Sequence, residues 1–493
     1  MKKIKIITSF MFTILFWGCS EILEPEQYGS LSVDQYFIDS NSAAAAMNAC
    51  YQSLSTEGCY KKSLWLVGDV ASDDTYSGEE DLDGLTGKPN NWTMTELWRD
   101  HYRGIYRCNV LLNRIEGITF KESQAGLKNL YIGQAKFIRA LLYFNLVRLF
   151  GDVPLITKEI MAAEESYLPR DPSTAIYNQI IADAKDAASL LPDQYGNIPN
   201  TENISQEKGR ATKGAANMLL ASVYLTLKDF PSAKEKALAV FSKYTLLSNY
   251  GDLFAKPYVG NSNTYPDENT SESIFEVQFG DQNGRGSNMT YLMGPQSWES
   301  TGLRYNRPTD QFNMDANNPV GYNGKGLVQE FETGDKRAIV LYSTTSTIDL
   351  NGSTNLPWKF CGKYLVRTKN NNNDPSNFPV FRYAETLLIL AEAENELNGP
   401  GSAYQYINPI RQRAGLSDFS GLSKDNFREA VYKERRIELC FEAKRWFDLV
   451  RTGRMKSLMS AHIGKSIGDH QNIFPIPQAE IDVNPLLTQN SGY

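Results

Sequence analysis

Histidine and cysteine are scarce in this chain of 493 residues, which has three histidines and six cysteines. His101, His462 and His470 are scattered, no His-Glu-x-x-His occurs, and no two cysteines stand at Cys-x-x-Cys spacing, so the usual zinc arrangements are excluded. Gly-x-Ser-x-Gly is absent, which removes the nucleophile elbow of serine hydrolases. Gly84-Leu-Thr-Gly-Lys-Pro and Gly324-Lys-Gly lack the remaining glycine and the Ser or Thr of a phosphate loop. Basic clusters are missing outside the N-terminus and one C-terminal helix, and the net charge is −7, which argues against nucleic acid as a partner. Nothing calls for a metal, a cofactor or a catalytic group. Apart from Cys19, the cysteines are Cys50, Cys59, Cys108, Cys361 and Cys440. Cys50 and Cys59 could close a short loop in an oxidising compartment, and buried free thiols fit at least as well.

The N-terminus carries Lys2, Lys3 and Lys5, an apolar run through Ile6, Ile7 and Phe10 to Phe16, then Trp17-Gly18-Cys19. A basic start, a short apolar stretch and a small residue before cysteine read as a secretory signal over 1–18, too short for a spanning helix. Leu15-Phe-Trp-Gly-Cys is similar to a bacterial lipobox, although Phe16 and Trp17 are bulkier than usual; an ordinary signal cut nearby is the alternative. As a lipobox it makes Cys19 the acylated first residue, and several buried acyl chains at about 0.8 kcal/mol per methylene anchor a protein stably. Ser20, Glu21, Glu24 and Glu26 then form an acidic start similar to the surface-export signal of Bacteroidetes lipoproteins.

The rest, 19–493, is mainly helical in its patterning. Helices are expected at Ser40 to Leu54, Leu127 to Phe150 and Ser173 to Leu191, and in a pair at Arg210 to Lys228 and Ser232 to Lys243. Trp98, His101, Ile105, Cys108 and Leu112 fall at helical spacing, as a core face does. Leu220, Ala221 and Tyr224 followed by Ala233 and Ala237 match the small and aromatic rhythm of tetratricopeptide repeats. Leu390 and Ala391 followed by Ala403 and Ile407 repeat the same offset. The expected fold is a tetratricopeptide-like helical-repeat scaffold of about four pairs, with long irregular insertions and a few short strands.

Two stretches break the pattern. Around 55–92, Trp65, Asp73, Asp74, Tyr76 and Trp92 combine carboxylates with aromatic faces, which is how a protein holds a polar ring with an apolar underside. A solvated Asx-rich turn would give the same composition. Over 245–377 helical periodicity is lost, with a strand indicated at Ser273-Ile-Phe-Glu-Val-Gln-Phe. Tyr291, Trp298, Arg304, Tyr305, Tyr322 and Trp358 stand there outside any helix that would bury them. Stacking rings with Asn, Asp and Arg as hydrogen-bonding partners suit sugar binding, although some rings would serve only to pin the loops down.

The region from Val380 to Arg454 reads as three helices: one ending at Asn398-Gly-Pro, one from Ser402 closed by Gly415, and one from Phe427 to Val450 after a Ser423 cap. Glu434, Glu438 and Glu442 share a helical face, but arginines and lysines interleave them, so they read as structural ion pairs rather than catalytic groups.

Phe378-Pro-Val-Phe-Arg-Tyr-Ala-Glu-Thr-Leu-Leu-Ile-Leu-Ala-Glu-Ala, Asn408-Pro-Ile-Arg-Gln-Arg-Ala-Gly and Glu434-Arg-Arg-Ile-Glu-Leu-Cys-Phe-Glu-Ala-Lys-Arg-Trp-Phe-Asp-Leu-Val-Arg resemble the SusD/RagB family of outer-membrane nutrient-binding lipoproteins. The segment from Gln134 to Leu155 and the ending from Phe474 to Tyr493 resemble it too. The resemblance implies a cell-surface lipoprotein that binds oligosaccharide or polysaccharide fragments without turnover. It also implies delivery to a SusC-like TonB-dependent transporter in the outer membrane. A peptide or other non-glycan nutrient, or glycoside hydrolysis, are the alternatives.

Overall fold

Local capping fixes where several helices start. Asp39 accepts from the Ser42 backbone and Ser42 answers in return, opening α1 (Ser40–Leu54). The short helix α2 spans Ser63–Val70, and Asn91 caps α3 (Trp92–Arg114). Next come α4 (Ala125–Phe150), stopped at Gly151 with φ of 72°, α5 (Ser173–Leu190), α6 (Lys213–Thr226) and α7 (Phe230–Leu238). After the long insertion follow α8 (Tyr383–Asn398), α9 (Tyr404–Arg413), α10 (Lys424–Glu438), α11 (Arg445–Arg451), α12 (Met455–Ile463) and α13 (Gln478–Val483). This computed structural model describes residues 36–76, 80–194, 209–254, 256–259, 262–264, 268–280, 282, 284–289, 292, 307–308, 326–343, 359–364 and 373–493.

Each scaffold helix from α3 to α8 packs on the next, and α8 then takes α9 and α10. Small side chains permit the close approach: Ala215, Ala216, Ala233, Ala237, Ala391 and Ala403 are all fully buried. Every residue from Tyr383 to Asn395 is buried, so α8 is the axis of the second half. The helical-repeat scaffold expected from the sequence is the one observed, with Trp98, Ile105 and Cys108 buried in it.

Two expectations need correction. The first insertion is not irregular throughout, because Glu57–Lys61 forms a π-turn and α2, all eight of its residues buried, follows. The proposed helix from Phe427 to Val450 is two helices, α10 and α11, separated by residues 439–444 with Phe441 at φ 61° and Ala443 at φ 55°. The break has a packing cause. Gly68 of α2 lies against it so closely that an added Cβ would stand 2.7 Å from the Ala443 Cα. The carbonyls released are used: Glu438 accepts from Tyr250 Oη at 2.9 Å and Phe441 from Tyr364 Oη at 3.1 Å.

The strands are short and two to a sheet: β1 (Thr75–Tyr76), β2 (Lys256–Val259), β3 (Ser262–Thr264), β4 (Ser273–Val277), β5 (Arg307–Pro308), β6 (Leu341–Ser343), β7 (Lys359–Cys361) and β8 (Phe378–Arg382). All pair antiparallel: β1 with β5, β2 with β3, β4 with β8 and β6 with β7.

Candidate ligand-binding surface

A buried charge network ties the second insertion to the scaffold. Arg382, at the end of β8, donates to Glu442 at 2.8 Å and 2.9 Å, to Glu272 at 3.0 Å, and to Glu438. Arg337 joins Asp335 at 2.8 Å, Glu434 and Glu438, while Arg413 reaches Glu272 at 2.7 Å and Glu438. Burial alone would raise the Glu438 carboxyl, but Arg413, Arg382 and Arg337 outweigh it and hold it well below the usual carboxylate range. Each carboxylate faces guanidinium or ammonium groups, so this is a clamp with no exposed acid or base.

The two insertions meet at two seams. At the first, β1 pairs with β5, setting Thr75 opposite Pro308 and Tyr76 opposite Arg307. At the second, Asn288 donates through its backbone N to Lys61 O at 3.2 Å and through Nδ2 to Glu57 at 2.9 Å. A neighbouring bridge, Ser287 to Asp374, draws in the far end of the long insertion. Segments more than two hundred residues apart are therefore joined at both seams. Close in sequence to these seams, Trp92 opens α3 with 64% of its surface exposed. Its Nε1 donates to Glu96 at 2.6 Å, and Glu96 is in turn held by Ser63 Oγ and Lys62 at 2.8 Å each, so the indole is oriented rather than loose.

A separate open cleft of about 730 Å³ runs along α3, between that helix, residues 154–167 and residues 480–487. Tyr106, Met161, Tyr167 and Val483 are exposed on its rim. Its one signal in the sequence is the recurrence of Trp92, Arg99, Arg103 and Tyr106 at seven-, four- and three-residue steps on the side of α3 away from its core.

Residues 243–493 match the profile described as the SusD family, just over half of the chain. The chain belongs to the SusD family. Residues 23–225 match a second profile, described as starch-binding associating with outer membrane. The chain is 30% identical over 542 residues to SusD-like protein P2 of Formosa agariphila, covering all of both chains. It is 27% identical over 472 residues to the starch-binding protein SusD of Bacteroides thetaiotaomicron, covering 82% of this chain and 78% of that one. Among solved structures, a laminarin binding SusD-like protein superposes with a TM-score of 0.75 at 26% identity, over 93% of this chain and all of the other.

Within this SusD-family fold the candidate residues fall in different places. Trp65 is fully buried in α2 and belongs to the core, not to a ligand surface. Asp73 and Asp74 are also withdrawn: Arg445 grips Asp73, and Arg436 Nε donates to Asp74 at 2.6 Å. Arg436 and Arg445 overcome the effect of burial and hold the Asp73 carboxyl far below its ordinary value, so it serves as a structural anion. Tyr76 lies in β1 at the first seam, and Trp92 is exposed. Tyr291, Trp298, Arg304, Tyr305, Trp358 and Cys19 lie outside the described residues. Cys50 and Cys59 are both free and buried, with Cys59 Sγ 3.6 Å from His101 Nδ1.

Proposed function

We infer that this protein captures oligosaccharide fragments at the outer membrane, anchored through Cys19 and facing the cell exterior, and passes them unbroken to a SusC-like TonB-dependent transporter. The observation that carries the reading is the joining of the two aromatic-bearing insertions, by Tyr76 opposite Arg307 and by Asn288 against Lys61, above a clamped helical frame. A surface built that way holds its ligand on rings and hydrogen-bonding side chains that need little rearrangement. The names of its relatives support a glycan as the ligand, since one is a starch-binding protein and another a laminarin binding protein. The ligand-contacting set is Tyr76 and Trp92 from the first insertion and Tyr291, Trp298, Arg304, Tyr305 and Trp358 from the second.

Calorimetric titration with laminari- and malto-oligosaccharides, followed by chromatography of the recovered sugar, tests this. The expected result is saturable binding with the sugar recovered intact. Sustained release of shorter products would make the protein a hydrolase, and competition by peptides with no sugar binding would make it a receptor for another nutrient.

A further inference from the structure

The cleft along α3 lies outside both insertion seams, and we propose that it is a second glycan site that takes oligosaccharides carrying carboxylate or sulfate groups. The proposal rests on the reading of the protein as a glycan-binding protein and adds a place and a ligand class to it.

Size and rigidity come first. A volume of about 730 Å³ falls within the range of small-ligand sites. Its walls are stitched together from three parts of the chain. Tyr102 Oη donates to Pro154 O at 2.8 Å, Asn109 Nδ2 to Ile156 O at 2.9 Å, and Asn484 Nδ2 to Leu168 O at 2.9 Å. The hollow is thus formed before anything enters it.

Its rim is unusually apolar. Of the twelve large apolar side chains exposed among the described residues, four (Tyr106, Met161, Tyr167 and Val483) surround this one cleft. Such a concentration marks a contact surface, and two of the four are tyrosines, which offer a flat face to a sugar and a hydroxyl to its edge.

The charge of the lining sets the ligand class. On a chain of net charge −7, the cleft is lined by Arg99, Arg103 and Arg107 against Glu480 alone. Arg99 donates to Asp100 at 2.8 Å, whereas Arg103 lies 3.7 Å from that same carboxylate and is 68% exposed. Arg107 donates only to neutral oxygens, Ala49 O and Ser53 Oγ, at 3.1 Å each. Burial raises the Glu480 carboxyl against the pull of Arg99 and Arg103, so the one acid of the lining stands against three guanidinium groups. Lys158, Glu164 and Glu165 flank the cleft in sequence, and Glu165 is turned to accept from the Met161 backbone at 3.0 Å. Guanidinium forks with unspent donors match carboxylate and sulfate oxygens in pairs.

The test titrates the full-length lipoprotein in detergent with oligogalacturonate, sulfated carrageenan oligosaccharides and neutral laminari-oligosaccharides. The wild type is compared with Arg103→Gln, Tyr106→Ala and the insertion double variant Trp298→Ala with Trp358→Ala. The expected result is that either cleft variant loses roughly tenfold or more in affinity for a charged probe, about 1.4 kcal/mol. That binding should also weaken as salt rises from about 50 to about 500 mM and survive in the insertion double variant. Charged probes that bind the cleft variants as they bind the wild type, or that fail to bind at all while the neutral probe binds, overturn the second site and leave the main reading standing. A peptide or protein segment displacing the charged probe from the wild type, in preference to any sugar, overturns it in favour of a protein interface. If no sugar of any kind binds, the main reading falls with it.

Discussion

Arg445 holds Asp73 in a two-pronged grip, Nε at 2.7 Å and Nη2 at 2.8 Å, across 372 positions of sequence. Both side chains are buried, and Arg436 closes on the same carboxylate at 3.2 Å. Removing one partner of such a set leaves charge uncompensated in a dry interior, at a cost of about 3–5 kcal/mol. Asp73→Ala is therefore expected to lower the unfolding free energy measured by urea titration by that amount while leaving sugar affinity of the folded fraction unchanged. A loss of affinity with no loss of stability would return Asp73 to the ligand surface.

Two buried histidines give the protein an acid limb near neutral pH. His101 donates from Nδ1 to Leu97 O at 2.7 Å, and burial lowers its pKa to about 4; His462 is lowered to about 4 by the same cause. Unfolding lets each titrate near 6.5, so the unfolded chain takes up protons first as pH falls. The stability these groups contribute is fully present above about 6.5 and is lost as pH falls towards 4. Carboxylates such as Asp448, lowered to about 2 by Arg435 and Arg451 in spite of its burial, act in a separate window below about 4. Thermal melts from pH 7 to pH 4.5 should show a shallower decline for His101→Gln than for the wild type; equal slopes would contradict the assignment.

Gly68 is fixed by a neighbour rather than by its own conformation. A Cβ there would meet the Cα of Ala443 at 2.7 Å and its carbonyl carbon at 2.8 Å, and backbone atoms cannot swing aside. Gly68→Ala should cost about 1–3 kcal/mol in a chemical denaturation curve. An unchanged midpoint would mean that α2 and the 439–444 turn are free to separate.

The helical frame was legible because its signals are local: a cap at Ser423, a proline at the start of α5, stops at Gly151 and Gly399, and a rhythm of alanines at the crossings. The charged face of Glu434, Glu438 and Glu442 was legible as ion pairing, but its partners were not: they are Arg337, Arg382, Arg411, Arg413 and Lys363, whereas the interleaved Arg435, Arg436 and Arg445 turn to Glu385, Asp448, Asp73 and Asp74. What escaped depended on distant partners. Asp73 looks like a ligand group until Arg436 and Arg445 arrive from the far end of the chain, and Trp65 looks like a binding ring until the core closes over α2. The break after Glu438 depends on Gly68, and the cleft on three segments that no periodicity connects.

Trp92 is exposed and oriented by Glu96, so it can lose its ring without harm to the core. Trp92→Ala is expected to leave the melting temperature unchanged and to weaken oligosaccharide binding about fivefold, near 1 kcal/mol, by calorimetry. Unaltered affinity would remove Trp92 from the binding surface.

Hydrogen exchange with and without a saturating oligosaccharide tests most directly whether the two insertions act as one surface. Slowed exchange is predicted on both sides of the Tyr76–Arg307 pairing at once, in 57–76 and in 284–308, with α5 and α6 unaffected. Protection confined to one insertion, or absent from both while sugar is bound, would contradict the account.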